Sequence, residues 1–152
     1  MTACAGEETI ESRAEHFVRT TYSDVDRVLS VRVDTVTLGD NMNYRIGQAE
    51  RNKDFAAVMV RGFGGETYQE SLDKETAWAA ALDSLKDASA GILGEPAAYN
   101  CIVVYNNPSN LVWVQLDPDG NLLNITKDMN KVLLNPGGDV PGYFELWQKF
   151  ND

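Results

Sequence analysis

The chain has 152 residues, 43% hydrophobic and 24% charged. A chain of this length buries about 68–70% of its unfolded surface, so it folds without help from a disulfide or a structural metal. Its 23 acidic and 13 basic residues leave a formal charge of −10, which repels phosphate backbones and anionic membrane surfaces and speaks against nucleic-acid binding. No apolar run reaches the roughly 18–20 residues of a transmembrane helix. Two cysteines, Cys4 and Cys101, and one histidine, His16, are thin provision for a zinc site of about four ligands.

Residues 1–8 are small and polar and read as a flexible tail; residues 9–152 read as a single α+β domain. Thr9 is placed to cap a first helix over 9–22, in which Ile10, Ala14, Phe17, Val18 and Tyr22 follow helical spacing. Asp24 and Asp26 mark its exit. Leu29, Val31 and Val33 alternate, and so do Val36 and Leu38, with the phase changing near Asp34. A strand with a bulge or bend there accounts for both halves, and Gly39-Asp40-Asn41 is expected to end it. A helix over 42–61 follows, then the breaker Gly62-Phe63-Gly64-Gly65, then a second helix over 67–89. Leu72, Ala79 and Leu82 share one stripe of this helix, with Trp78, Ala81 and Leu85 beside it. Two helices about a glycine-rich turn make an antiparallel helical hairpin.

Residues 98–126 read as a three-stranded antiparallel meander. Its turns, Asn107-Pro108-Ser109-Asn110 and Asp117-Pro118-Asp119-Gly120, each carry Pro at the second position and end in a residue that tolerates the left-handed conformation. Two registers compete. Four-residue loops gather Cys101, Val103, Tyr105, Val112, Val114, Leu116, Leu123 and Ile125 on one face, as the hydrophobic pattern prefers. Three-residue loops with Asn110 and Gly120 left-handed place Val103 and Tyr105 with Trp113 and Ile125, as turn chemistry prefers. The second register is the one predicted here. Met129–Leu134 is expected to add one or two helical turns, and Asn135-Pro136-Gly137-Gly138 a loop. Pro141 then opens a last helix whose stripe of Tyr143, Leu146, Trp147 and Phe150 is expected to lie in the core. The predicted fold is a helix packed on a four-stranded antiparallel sheet, with a helical hairpin inserted after the first strand and a C-terminal helix.

Chemistry-bearing motifs are sparse. Asp117-Pro118-Asp119-Gly120-Asn121 lacks the spaced oxygens and final bidentate Glu of an EF-hand and reads as a hairpin turn. His16 and Cys101 are not expected to form a nucleophile–base pair, because Cys101 falls inside an apolar strand. Tyr99, Tyr105 and Trp113 are expected to stack near one another on the sheet as core. There is no nucleophile elbow, phosphate loop or dinucleotide fingerprint, so no catalytic residue, cofactor or metal ligand is assigned.

Thr2-Ala3-Cys4 resembles the end of a bacterial lipobox, in which small residues precede the cysteine that is acylated. Ala3 and Thr2 match those small positions, Ala5-Gly6-Glu7-Glu8 resembles a polar tether, and the charged and apolar signal region of that family is not part of the 152 residues. The resemblance makes Cys4 the candidate lipidation site. The element order resembles a cystatin-like or NTF2-like α+β roll. The run from Tyr105 to Asp117, with Asn135-Pro136-Gly137 and Pro141-Gly142-Tyr143 after it, resembles small uncharacterised lipoproteins of Gram-negative gut bacteria. This implies a location in the bacterial cell envelope, in the periplasm or at the outer-membrane surface, with membrane association only through the lipid anchor. The expected function is a non-enzymatic binding or interaction module with a protein or saccharide partner. The alternative is a small-molecule binder or enzyme with a pocket between sheet and helix.

Overall fold

The computed structural model of the chain describes residues 8–152. The protein is α+β, with a four-stranded antiparallel open sheet. Its elements, among the described residues, are α1 (Ile10–Thr21), β1 (Val28–Thr37), α2 (Leu38–Phe63), α3 (Glu66–Ala88), β2 (Pro96–Tyr105), β3 (Leu111–Leu116), β4 (Leu122–Thr126) and α4 (Tyr143–Phe150). They fall into two compact units. The first is the described chain up to Val36 together with Pro96–Gly138; the second is Thr37–Glu95 with Asp139–Asp152.

In the first unit α1 begins as predicted: the Thr9 hydroxyl accepts a hydrogen bond from the Ser12 N–H at 3.0 Å, satisfying one of the helix's orphan donors. Ala14 and Val18 are fully buried from α1 against Cys101, Val103, Tyr105, Val112, Val114 and Leu116 of the sheet. Full burial of the Val and Leu side chains among these is worth about 1.5–3 kcal/mol each. The strand order is β1-β2-β3-β4. Along β1, Val31, Val33 and Val36 turn inward while Asp34 and Thr35 are both exposed, so the phase change near Asp34 is present.

The first hairpin departs from the predicted register. Val103 faces Val112 and Val104 faces Leu111, and the Tyr105 N–H donates to the Asn110 carbonyl at 3.2 Å, which leaves the four-residue loop 106–109. The left-handed residue is Asn106 at φ 61°, not Asn110. The cause is tertiary. The Asn106 side-chain oxygen accepts from the Asp26 and Arg27 N–H groups at 2.8 and 3.0 Å. Its amide donates to the Asp24 carbonyl at 2.7 Å. These three bonds outweigh the local preference at Asn110.

The second hairpin follows turn chemistry: Gly120 sits at φ 86°, and the Asp117 N–H donates to the Asn121 carbonyl at 2.8 Å across a three-residue loop. The strands then shift by one residue. Leu116 faces Leu122, but Gln115 faces Asn124, which leaves Leu123 as the extra residue of a bulge. The bulge brings Ile125 opposite Val114, on the core face. Turn chemistry and hydrophobic pattern are thus both satisfied. Trp113 pairs with Ile102 and Thr126 instead. It lies on the other face of the sheet from Tyr99 and Tyr105, so the three aromatics do not cluster as expected.

That other face carries a row of amides, Asn100, Gln115 and Asn124, adjacent in register on β2, β3 and β4. Gln115 is completely buried. Its amide donates to Asn100 Oδ1 and the Leu133 carbonyl at 2.9 and 2.8 Å; its oxygen accepts from Asn124 Nδ2 and the Leu133 N–H, both at 2.9 Å. The segment after β4, with a single 3-10 turn at Met129–Lys131, is thereby strapped to the sheet. Gly137, at φ 84°, holds the end of this strap so close to β2 that a Cβ there would overlap the Ala97 carbonyl.

In the second unit α2 starts earlier than predicted. The Thr37 hydroxyl accepts from the Asp40 N–H at 3.0 Å and Asp40 accepts from the Thr37 N–H at 2.9 Å, a capping box. Gly39-Asp40-Asn41 is therefore the first turn of a helix and not the end of a strand. The glycine is there for packing: its N–H donates to the Leu93 carbonyl at 2.8 Å, and at that approach a Cβ would come within 3.0 Å of the carbonyl oxygen and 3.2 Å of the Leu93 Cβ. Gly64 and Gly65, both at positive φ, make the predicted turn of the α2–α3 hairpin. Met42, Ala49, Ala79, Leu82 and Val140 form the core, flanked by Ile46, Trp78, Tyr143 and Leu146.

The stripe on α4 divides. Trp78 lies 6.1 Å from Tyr143 and 5.2 Å from Phe150, ring centre to ring centre, and Leu146 packs on the core. Trp147 is 44% exposed and stacks on the exposed Phe144 at 6.3 Å and 11°. Trp147 is thus not a core residue, because Trp78 already occupies the space between Tyr143 and Phe150.

Candidate functional site

The exposed Trp147 borders a cleft of about 240 Å³ in the second unit. Helical periodicity builds it. Arg45, Gln48 and Asn52 recur along one side of α2, Lys74, Glu75 and Trp78 face them from α3, and Tyr143, Trp147 and Phe150 recur on α4, with Asn151 just beyond. One wall is aromatic and the other is amide and charged.

Arg45 organises the junction of these walls. Its guanidinium donates to Asp139 through Nε at 3.3 Å and Nη2 at 3.1 Å, a forked pairing that fixes the plane of the group. That plane lies 4.7 Å from the centre of the Tyr143 ring, within cation–π range. Burial opposes the Arg45 charge, but the hydrogen bond and charge of Asp139 outweigh it and hold the guanidinium above its ordinary value. Burial likewise raises the Tyr143 phenol, with Arg45 opposing and Asp139 adding to the rise, so the hydroxyl stays a neutral donor and acceptor at neutral pH. At the far end the Asn151 amide donates to the Trp147 carbonyl at 2.8 Å, closing the last turn of α4 and steadying the rim. Glu75, Trp78, Tyr143 and Phe150 are half-buried, whereas Gln48, Asn52, Lys74 and Asn151 stand exposed. The cleft thus sets aromatic residues beside side chains that both donate and accept hydrogen bonds.

The residues singled out from sequence lie elsewhere. Cys4 is outside the described residues. Cys101 is buried in the sheet core, and burial first, with Glu11 and Asp34 adding, pushes its thiol up to about 11. His16 is exposed, its ring edge-on to Phe17 at 5.7 Å, so the two do not form a reactive pair. Asp117 accepts from the Asn121 and Asp119 N–H groups at 2.8 and 2.9 Å, with the bond from Asn121 the chief cause of its lowered carboxyl. These bonds shape the turn. Among the described residues no group of three His, Cys, Asp or Glu is placed to hold a metal ion, and no helix is long and apolar enough to cross a membrane.

Sequence reading missed the cleft. Its aromatic residues were assigned to the core by their spacing, and Arg45 meets Asp139 and Tyr143 only through tertiary structure. The remaining signal was slight: polar Gln48 and Asn52 share a helical face with buried Ala49 and Ala56. Comparisons of the chain with protein-family models, with curated proteins and with solved structures give no match.

Proposed function

We propose that this protein is a non-enzymatic binding module of the bacterial cell envelope, tethered by a lipid on Cys4, that takes a small polar ligand in the cleft between α2, α3 and α4. The observation that carries the binding reading is the cleft itself: an aromatic wall faces convergent donors and acceptors in a volume suited to one small molecule. Sites for drug-sized ligands run to about 300–1,000 Å³, and this cleft, at about 240 Å³, lies just below that range. The tether rests on Thr2-Ala3-Cys4 and the polar residues after it.

Thermal unfolding tests the binding reading. A ligand at 100 times its Kd adds about 2.7 kcal/mol, a rise of about 5–11 °C in Tm for a chain of this size. A panel of sugars, amino acids, small carboxylates and quaternary amines should include a compound that produces this rise. Asn52→Trp, a bulky change at an exposed position of the cleft, should remove it. No rise with any compound, or a rise that survives Asn52→Trp, overturns the reading. Acyl-chain labelling of the native gene product tests the tether, and a label unchanged by Cys4→Ser refutes it.

A further inference from the structure

We infer that the ligand of the cleft is a saccharide, a pyranose ring laid against the aromatic wall; this rests on the cleft being the binding site. The charges decide the class. Arg45 is already forked onto Asp139, so the open charges of the lining are one cation, Lys74, and one carboxylate, Glu75. Among the described residues neither is in an ion pair. A purely anionic ligand meets Glu75 and the field of a chain with a net charge of −10. A purely cationic ligand meets Lys74, the one open cation of the lining. A neutral ligand rich in hydroxyls meets neither penalty, because a hydroxyl donates to Glu75 and accepts from Lys74. The amides of Gln48, Asn52 and Asn151 add both kinds of partner in one lining.

The aromatic wall decides the shape. Trp147 is 44% exposed and its ring lies parallel to that of Phe144, at 6.3 Å and 11°, so a flat indole stands at the mouth of the cleft. A pyranose has the matching form: one face of C–H groups to lie on an aromatic ring, and a rim of hydroxyls to meet polar side chains. Few other small neutral molecules present an apolar face and a hydroxyl rim together. The volume of about 240 Å³ suits one ring, either a free monosaccharide or the end of a glycan.

The test is a titration followed by the indole N–H signals of the ¹⁵N-labelled full chain. Trp78 and Trp147 lie in the cleft, and Trp113 lies on the sheet of the other unit, so it serves as the internal control for folding. The probes are glucose, galactose, N-acetylglucosamine and maltotriose, with acetate and tetramethylammonium as charged counter-probes. The expected result is saturable movement of the Trp78 and Trp147 signals with at least one sugar while Trp113 stays still. Trp147→Ala should weaken that sugar about tenfold or more, whereas Phe55→Ala, at an exposed aromatic outside the cleft, should not. Saturation by a monosaccharide alone assigns the free sugar and saturation by maltotriose assigns a chain end; either upholds the inference. Saturation by acetate or tetramethylammonium and by no sugar overturns the saccharide while the cleft remains the site. Movement with no probe overturns the saccharide, and the thermal panel then decides whether the cleft binds any other compound.

Discussion

Replacing Gln115 with Met should be among the most damaging conservative changes in the sheet unit. The two side chains have similar length, so the substitution opens little cavity and removes hydrogen bonds almost selectively. Gln115 is completely buried and makes four bonds, all between 2.8 and 2.9 Å. Two of them satisfy the N–H and carbonyl of Leu133, and two tie together the amides of Asn100 and Asn124. A buried polar group left without a partner costs about 1–3 kcal/mol. Asn124 keeps its bond to the Lys131 carbonyl at 2.9 Å, and a loosened strap lets water reach part of the rest, so about two groups' worth of penalty survives, about 2–6 kcal/mol. With a urea m-value of about 2 kcal/mol/M, the midpoint should fall by about 1–3 M. Amide exchange at Leu133 should rise in step, because its N–H loses its acceptor. A midpoint within experimental error of the wild type, with Leu133 still protected, would refute the argument that this amide row holds the strap to the sheet.

Trp78→Ala and Trp147→Ala should separate cleanly: the half-buried Trp78 should cost about 3–5 kcal/mol in denaturant unfolding, and the exposed Trp147 less than about 1 kcal/mol, with equal losses counting against the division of the α4 stripe. Gly137→Ala should destabilise strongly, since a Cβ meets the Ala97 carbonyl and φ is 84°; an unchanged midpoint contradicts the close approach. The Cys101 thiol should resist modification at pH 8 in the folded state and react fully in urea. With its folded value raised from 9.0 to about 11, its contribution to stability is complete below about pH 9. That contribution is lost as the pH rises from about 9 to 11, because only the unfolded chain then ionises. Loss between these limits that is as large in Cys101→Ala assigns the effect to other groups.

Much of the architecture was legible because local signals and tertiary needs agree. Thr9 caps α1 and its apolar stripe meets the sheet; Gly64 and Gly65 break the hairpin; Gly120 makes its turn. Reading failed where a distant partner decides. Asn106 takes the left-handed position because residues 24–27 hold its side chain, which no turn rule contains. Gly39 and Asp40 look like breakers until the capping box and the Leu93 carbonyl are in place. The choice between registers was posed as one for both hairpins, whereas the first takes the four-residue loop and the bulge at Leu123 reconciles the two at the second. The cleft was hidden for a related reason: an apolar stripe on a helix specifies a buried face, but it does not say which aromatic on that face arrives second. Trp78 takes the space, and Trp147 is left at the rim.

The most direct measurement is of intermolecular NOEs between a bound sugar, the tightest of the titrated set, and the aromatic protons of the full chain. The account predicts NOEs from the C–H protons of one ring face to Trp147, with further NOEs to Phe150 or Tyr143 and none to Trp113. NOEs confined to Trp113, or none to any ring of the cleft, would contradict it.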